Sequence, residues 1–250
     1  MSKLRRLFFG FTEYIPAARW SFSLIVIAFI AVVSVYKYID LADTAVFSSL
    51  EVLFMTLTDI INIVFIYLPL YLFTVCGIMN SDSFGGAEVI RFRSRSKWLL
   101  GKFMTYLLNT FLFLISLVLI NLIVFESVFT FSDAWSGDFV GFRVMMGQPA
   151  KDFSYPPIPT IILSVLALFF FYLVCGAVNM AFSLMSGNEA IGLFFSLLIG
   201  IAFGLINMIM ISADLLSQVI RSAVLVSVLV ILYIICIFLV RKRDFGGKRN

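Results

Sequence analysis

Six runs of apolar residues, at about 20–36, 52–78, 98–125, 159–185, 190–211 and 220–240, leave this chain almost no way to fold in water. The hydrocarbon core of a bilayer is roughly 30 Å thick and an α-helix rises about 1.5 Å per residue, so about 20 apolar residues cross it. The runs are continuous rather than alternating, and an open strand in lipid would leave its backbone groups unpaired. A barrel is therefore excluded and a helical bundle is left. Composition agrees: 62% of the residues are hydrophobic and 13% charged, with a mean hydropathy of +1.09. Soluble domains carry about half and about a quarter. The expected fold class is all-α, a polytopic membrane protein with six transmembrane helices in a single domain over 1–250. The second, third and fourth runs are long enough to tilt or to project beyond the bilayer.

Ahead of the first run, residues 3–15 place Leu4, Leu7, Phe8, Phe11, Tyr14 and Ile15 on one helical face, with Lys3, Arg5, Arg6 and Glu13 elsewhere. That spacing predicts an amphipathic helix in the headgroup layer, ended by Pro16, serving as a topology anchor or as an elbow against a partner. No small-residue cleavage site follows the first run, so no cleavable leader is expected. Of the 18 Lys and Arg, 14 fall on the side that holds both termini and the loops at 79–97 and 186–189. Only Lys37, Arg143, Lys151 and Arg221 fall on the other side. The positive-inside rule then places both ends in the cytoplasm of a multi-pass cell-membrane protein. The basic pI reflects topology and anionic lipid, and is no argument for nucleic acid. The largest external segment, 126–158, carries Phe129, Phe131, Trp135, Phe139, Phe142 and Tyr155, which either pack onto the helix ends or meet an amphipathic substrate.

Candidate chemistry inside the spans is sparse. Asp59 is the one ionisable residue expected at membrane depth, with Asn62 one turn along, and a buried charge in lipid marks a functional candidate. If the second span begins nearer Ile60, however, Asp59 lies at the outer interface and needs no special role. Asn109, Asn121, Asn179 and Asn207 are neutral and suit interhelical hydrogen bonds. Gly192, Ser196, Gly200 and Gly204 recur every four residues in the fifth span, a small-residue stripe that lets another helix approach closely. It serves either internal packing or a dimer seam. Cys76, Cys175 and Cys236 all sit in apolar runs and read as packing residues. With no histidine in the chain, His-dependent triads and zinc motifs are excluded. Gly101-Lys102 is followed by Phe103 and lacks the upstream glycine of a phosphate-binding loop, so no enzyme activity, metal or cofactor is expected.

The loop between the second and third spans is the longest polar stretch expected on the cytoplasmic side. It runs Asn80-Ser81-Asp82-Ser83-Phe84-Gly85-Gly86, then Ala87-Glu88-Val89-Ile90, then Arg91-Phe92-Arg93-Ser94-Arg95-Ser96-Lys97-Trp98. Together with an N-terminal amphipathic helix and six spans, this loop resembles the permease subunits of type-2 ABC exporters. The likeness is particularly to Gram-positive exporters of bacteriocins and phenol-soluble modulins. The resemblance covers the whole chain as architecture and about 20 residues as motif. It implies a coupling helix docked on a separate ATP-binding cassette subunit, with Ser81, Asp82 and Ser83 as N-cap. Phe84, Ala87, Glu88, Val89, Ile90, Arg91 and Phe92 would form the docking face, and Arg91, Arg95 and Lys97 would hold it against acidic surface or lipid phosphate. It also implies a second permease chain, identical or sister, ATP and Mg on the partner subunit rather than here, and an amphipathic or hydrophobic cargo. The family's re-entrant helices between the last two spans would have to be built from the span ends, around Gly200 and Gly204. A secondary transporter stays open as an alternative, as does a non-transporting scaffold or immunity protein.

Overall fold

The computed structural model describes residues 17–42, 46–79, 94–147, 150–208 and 215–242. The helix expected over 3–15 and the residues of the polar loop from Asn80 to Arg93 lie outside them, so Ser81, Asp82, Ser83, Phe84, Ala87, Glu88, Val89, Ile90, Arg91 and Phe92 are not placed. Among the described residues the chain is helical, with no strand. The order is α1 (Ala17–Ala42), α2 (Ser49–Thr58), a π-helical segment (Ile61–Tyr67), α3 (Leu68–Val75) and α4 (Arg95–Glu126). Then come α5 (Gly137–Met145), a 3-10 turn (Ala150–Phe153), α6 (Pro157–Ser186), α7 (Glu189–Met208) and α8 (Leu215–Lys242). Five of these, α1, α4, α6, α7 and α8, are long and apolar enough to cross a membrane, and the bent α2–α3 pair makes a sixth if it counts as one span.

Local chemistry accounts for the helix ends. Ser94 caps α4, its Oγ accepting from the Lys97 amide at 3.3 Å. Proline, which tolerates the first helical turn, opens α6 at Pro157. Gly187 closes that helix at φ 75°, a left-handed conformation that side chains resist, and its N–H bonds Ser183 O at 2.9 Å.

The expected second span, 52–78, is not one rod. It bends by 64° between Thr58 and Ile61. Asp59 ends α2 in extended backbone (ψ 118°), and its own carboxylate then accepts the Ile61 amide at 2.9 Å. A short acidic side chain that competes for backbone N–H groups favours such a stop and restart. The helix resumes as π-helix, with the Leu68 N–H reaching Ile63 O.

The centre of the bundle is α6, whose residues 171–181 are all buried. It packs along α7 on one flank and α8 on another, with α4 and α2 on its remaining sides, while α7 and α8 make little contact with each other. Phe29, Phe65, Ile123, Ile162 and Phe238 are exposed on the periphery, as lipid-facing side chains are. α1 closes the bundle against α4.

Beyond the ends of α1 and α4 lies a further layer made of α2, α5 and the 3-10 turn. Ser48 and Glu51 form a capping box at the start of α2, with Ser48 N donating to Glu51 Oε2 at 2.7 Å. The other oxygen of the fully buried Glu51 accepts from Ser136 N, which joins α2 to the cap of α5. Trp135 stacks on Phe139 at 4.9 Å, and Phe54 and Phe153 meet the pair edge-on. The aromatic residues Trp135 and Phe139 thus pack onto helix ends, whereas Phe131 is exposed. Burial holds the Arg143 guanidinium below its ordinary proton affinity, nearby Tyr38 acting in the opposite sense, and Arg143 lies 5.5 Å over the Phe54 ring.

Candidate functional site

Two polar clasps tie α1 to the bent second span, one at each end. At the first, the Arg19 guanidinium donates to Cys76 O. Glu189, in the first turn of α7, joins it: one carboxylate oxygen accepts from Gly77 N at 2.8 Å and Met79 N at 3.0 Å. Gly77 takes φ 101°, which turns the chain so that both amides meet one oxygen. The root of the polar loop is thereby pinned to two other helices, and Ile78 and Met79 are fully buried beneath it. The sequence signal for this clasp is faint. Arg19 reads as a membrane-entry residue, and Glu189 stands in a short turn where an acidic residue ordinarily caps its own helix.

At the opposite clasp Lys37 Nζ lies 3.0 Å from Asp59 Oδ2. Arg19 and Lys37 are 18 residues apart on α1, about 27 Å along a helix. Asp59 and Cys76 are 17 residues apart on the partner segment. Both spacings match roughly one hydrocarbon thickness. α2 lies beyond the Lys37–Asp59 clasp from the rest of the second run, and the Asp59 side chain is 18% exposed. Asn62 follows it, half-buried in the π-helical segment.

Between the clasps runs a buried polar seam. Asn109 Nδ2 donates to Thr74 Oγ1 at 2.9 Å, and Tyr71 OH pairs with Thr110 Oγ1 at 2.9 Å. Asn179 Nδ2 donates to Tyr106 OH at 2.8 Å, and Ser183 Oγ to Asn179 Oδ1 at 3.1 Å. These bonds link α3, α4 and α6 through groups that lipid cannot satisfy, so each one stabilises the packed state against the separated helices. Asn109 and Asn179 are interhelical pins in this arrangement, fully buried.

The small-residue stripe of α7 faces this chain's own helices. A Cβ on Gly192 would lie 2.6 Å from Asn179 O, one on Gly200 2.6 Å from Leu68 Cδ2, and one on Gly204 2.2 Å from Val64 Cγ2. Ser196 Oγ donates to Cys175 O at 2.6 Å. Gly192 and Ser196 seat α7 on α6, while Gly200 and Gly204 admit the second span. That face is occupied from within. α7 also runs unbroken through Gly200 and Gly204, so the expected re-entrant hairpin does not start there; the break falls in the second span, where Asp59 supplies a polar stop.

Of the loop residues with an expected role at the docking interface, Lys97, which is exposed, and Arg95 are described. Arg95 opens α4 and donates to Arg241 O at 3.1 Å, bringing the C-terminal end of α8 to the same end of the bundle as Arg19 and Glu189. Among the described residues no group of three or more His, Cys, Asp or Glu could hold a metal. The geometry among the described residues is one of clasps, seams and close-packed stripes. No family model, no curated protein and no solved structure matches this chain.

Proposed function

We propose that this chain is the permease subunit of an ATP-driven exporter of the type-2 ABC class, carrying an amphipathic or hydrophobic cargo such as a peptide or toxin across the cell membrane. In this reading both termini and the Arg19 end are cytoplasmic, and the Lys37 end with its aromatic layer faces outward. A separate ATP-binding cassette subunit, holding ATP and Mg, docks on residues 80–97, and a second permease chain completes the path. The observation that carries the reading is the root of the loop: 76–79 is held by Arg19 of α1 and Glu189 of α7. A push on the loop then reaches two helices directly, as coupling by rigid-body displacement requires. The apolar lipid-facing surface and the neutral seam suit an amphipathic passenger better than an ion.

The test is co-purification of the tagged chain with an ATP-binding protein encoded beside it, before and after residues 80–93 are replaced by a Gly/Ser linker. Loss of the partner with retention of the folded chain is the expected result. Retention of the partner removes the docking role, and cargo transport that persists without any ATPase assigns the chain to secondary transport.

A further inference from the structure

The π-helical segment of the second span stands where two preferences oppose each other. A π-helix is rare inside an otherwise α-helical element and often marks a functional place. Here Pro69 follows it directly. In an α-helix the ring of Pro69 would crowd Phe65 O, four residues back, and it has no N–H to offer that carbonyl. The wider turn relieves the crowding: the Leu68 N–H passes over Val64 O and reaches Ile63 O. A second donor holds the same carbonyl. Tyr172 OH, from the buried centre of α6, donates to Ile63 O at 3.3 Å. The π form is thus supported by one proline and one hydrogen bond from a neighbour, against the general preference for α.

The surroundings have room for the α form. A cavity of about 50 Å³ adjoins the segment, lined on that side by Ile60, Ile63 and Val64 and on the other by Ala167 of α6 and Leu225 of α8. A water-sized group needs roughly 10–15 Å³, so the two methyls of Val64 fit within it. In the π form Val64 is 1% exposed and fills the slot at Gly204, where a Cβ would lie 2.2 Å from Val64 Cγ2. Tightening the turn by one residue rotates the part ahead of it by about 100° and advances it by about 1.5 Å, which takes Val64 off Gly204. The flanks are suited to a local change. α3 is held at 76–79 by Arg19 and Glu189. Upstream, Asp59 is in extended backbone, so the chain there absorbs a rotation without turning α2.

We propose that residues 60–67 form a two-state switch in the second span. In one state the turn is π-helical, with Tyr172 on Ile63 O and Val64 seated at Gly204. In the other it is α-helical, with Val64 in the cavity and the second span parted from α7 at Gly204. The switch rests on the fold of this segment alone and is independent of the exporter reading.

The full-length protein, its native cysteines replaced, is spin-labelled at Ile61→Cys and Ile162→Cys, exposed positions on the segment and on α6. Pulsed electron-spin spectroscopy in lipid nanodiscs reads the distance between them. A second pair, Phe73→Cys with Ile162→Cys, has its label on α3 beyond the turn and is the fixed reference. The wild type is expected to show two distances for the first pair and one for the second. Tyr172→Phe, which removes a hydrogen bond from the π form only, raises the ratio of α to π form about two- to ten-fold. Ala167→Leu, which fills the cavity, lowers it. A second distance that appears only in Tyr172→Phe also supports the switch. A single distance for the first pair in both the wild type and Tyr172→Phe overturns it. So does a ratio unchanged by folded Tyr172→Phe or by folded Ala167→Leu, or a reference pair that changes in step with the first. Where a variant fails to fold, the wild type decides: two distances for the first pair support the switch and one overturns it.

Discussion

A methyl group on Gly192 would meet Ser183 Oγ at 2.1 Å and the backbone oxygen of Asn179 at 2.6 Å, whereas one on Gly200 meets mainly the end of the Leu68 side chain. A side-chain tip can rotate away, but a helix backbone cannot. Gly192→Ala is therefore expected to destabilise by about 1–3 kcal/mol, and Gly200→Ala by less than about 1 kcal/mol. Detergent-denaturation curves in mixed micelles read the ranking, and equal costs would count against this packing of α7. Asp59 calls for a different pair of substitutions. Its ion pair joins a Lys37 side chain that is 54% exposed, and such pairs contribute at most about 1 kcal/mol. Its hydrogen bond to Ile61 N, in contrast, restarts the helix. Asp59→Asn, which keeps an acceptor, is expected to stay within about 1 kcal/mol of wild type, and Asp59→Ala to cost more. Folded Asp59→Asn that has lost all transport would return Asp59 to a functional role. Spacing alone revealed the glycine stripe; which partner each glycine meets depends on the neighbouring helices.

The second span shows how much one residue changes an element. The sequence admits either a single long span over 52–78 or a start nearer Ile60, and the backbone turns by 64° at Asp59. The polar seam behaves likewise. Asn109 and Asn179 stand out in an apolar sequence, but Thr74, Tyr71 and Tyr106, which complete their hydrogen bonds, carry no periodicity that would single them out. At the other end of the span, the turn at 76–79 depends on Glu189 from a helix more than a hundred residues on. Removing that acceptor leaves two partly buried amides unpaired. Glu189→Ala is expected to raise hydrogen exchange at Gly77 and Met79 about ten-fold or more while the centre of α4 stays protected. Unchanged exchange at those amides would show that Glu189 does not hold the loop root. Glu189→Gln, which keeps one acceptor oxygen, should fall between.

Across the whole molecule, the two clasps stand about 27 Å apart along α1, close to one hydrocarbon-core thickness, so the proposed orientation can be tested in intact cells. With the native cysteines replaced, a membrane-impermeant thiol reagent is expected to label Ser132→Cys from outside and Ser186→Cys only after permeabilisation. Labelling with the opposite sidedness would invert the proposed orientation. The sequence alone settled the solvent, the helical class and the number of apolar runs, because those follow from chain length, hydropathy and the need to pair every backbone group in lipid. Charge asymmetry along the same sequence supplied an orientation. Three things emerged only in the tertiary structure: which way the α7 stripe faces, that α6 lies at the centre, and that Arg19 and Glu189 meet at the loop root. In lipid nearly every helix face is apolar, so hydropathy distinguishes buried from lipid-facing surfaces poorly, and polar contacts between distant segments are decided by packing.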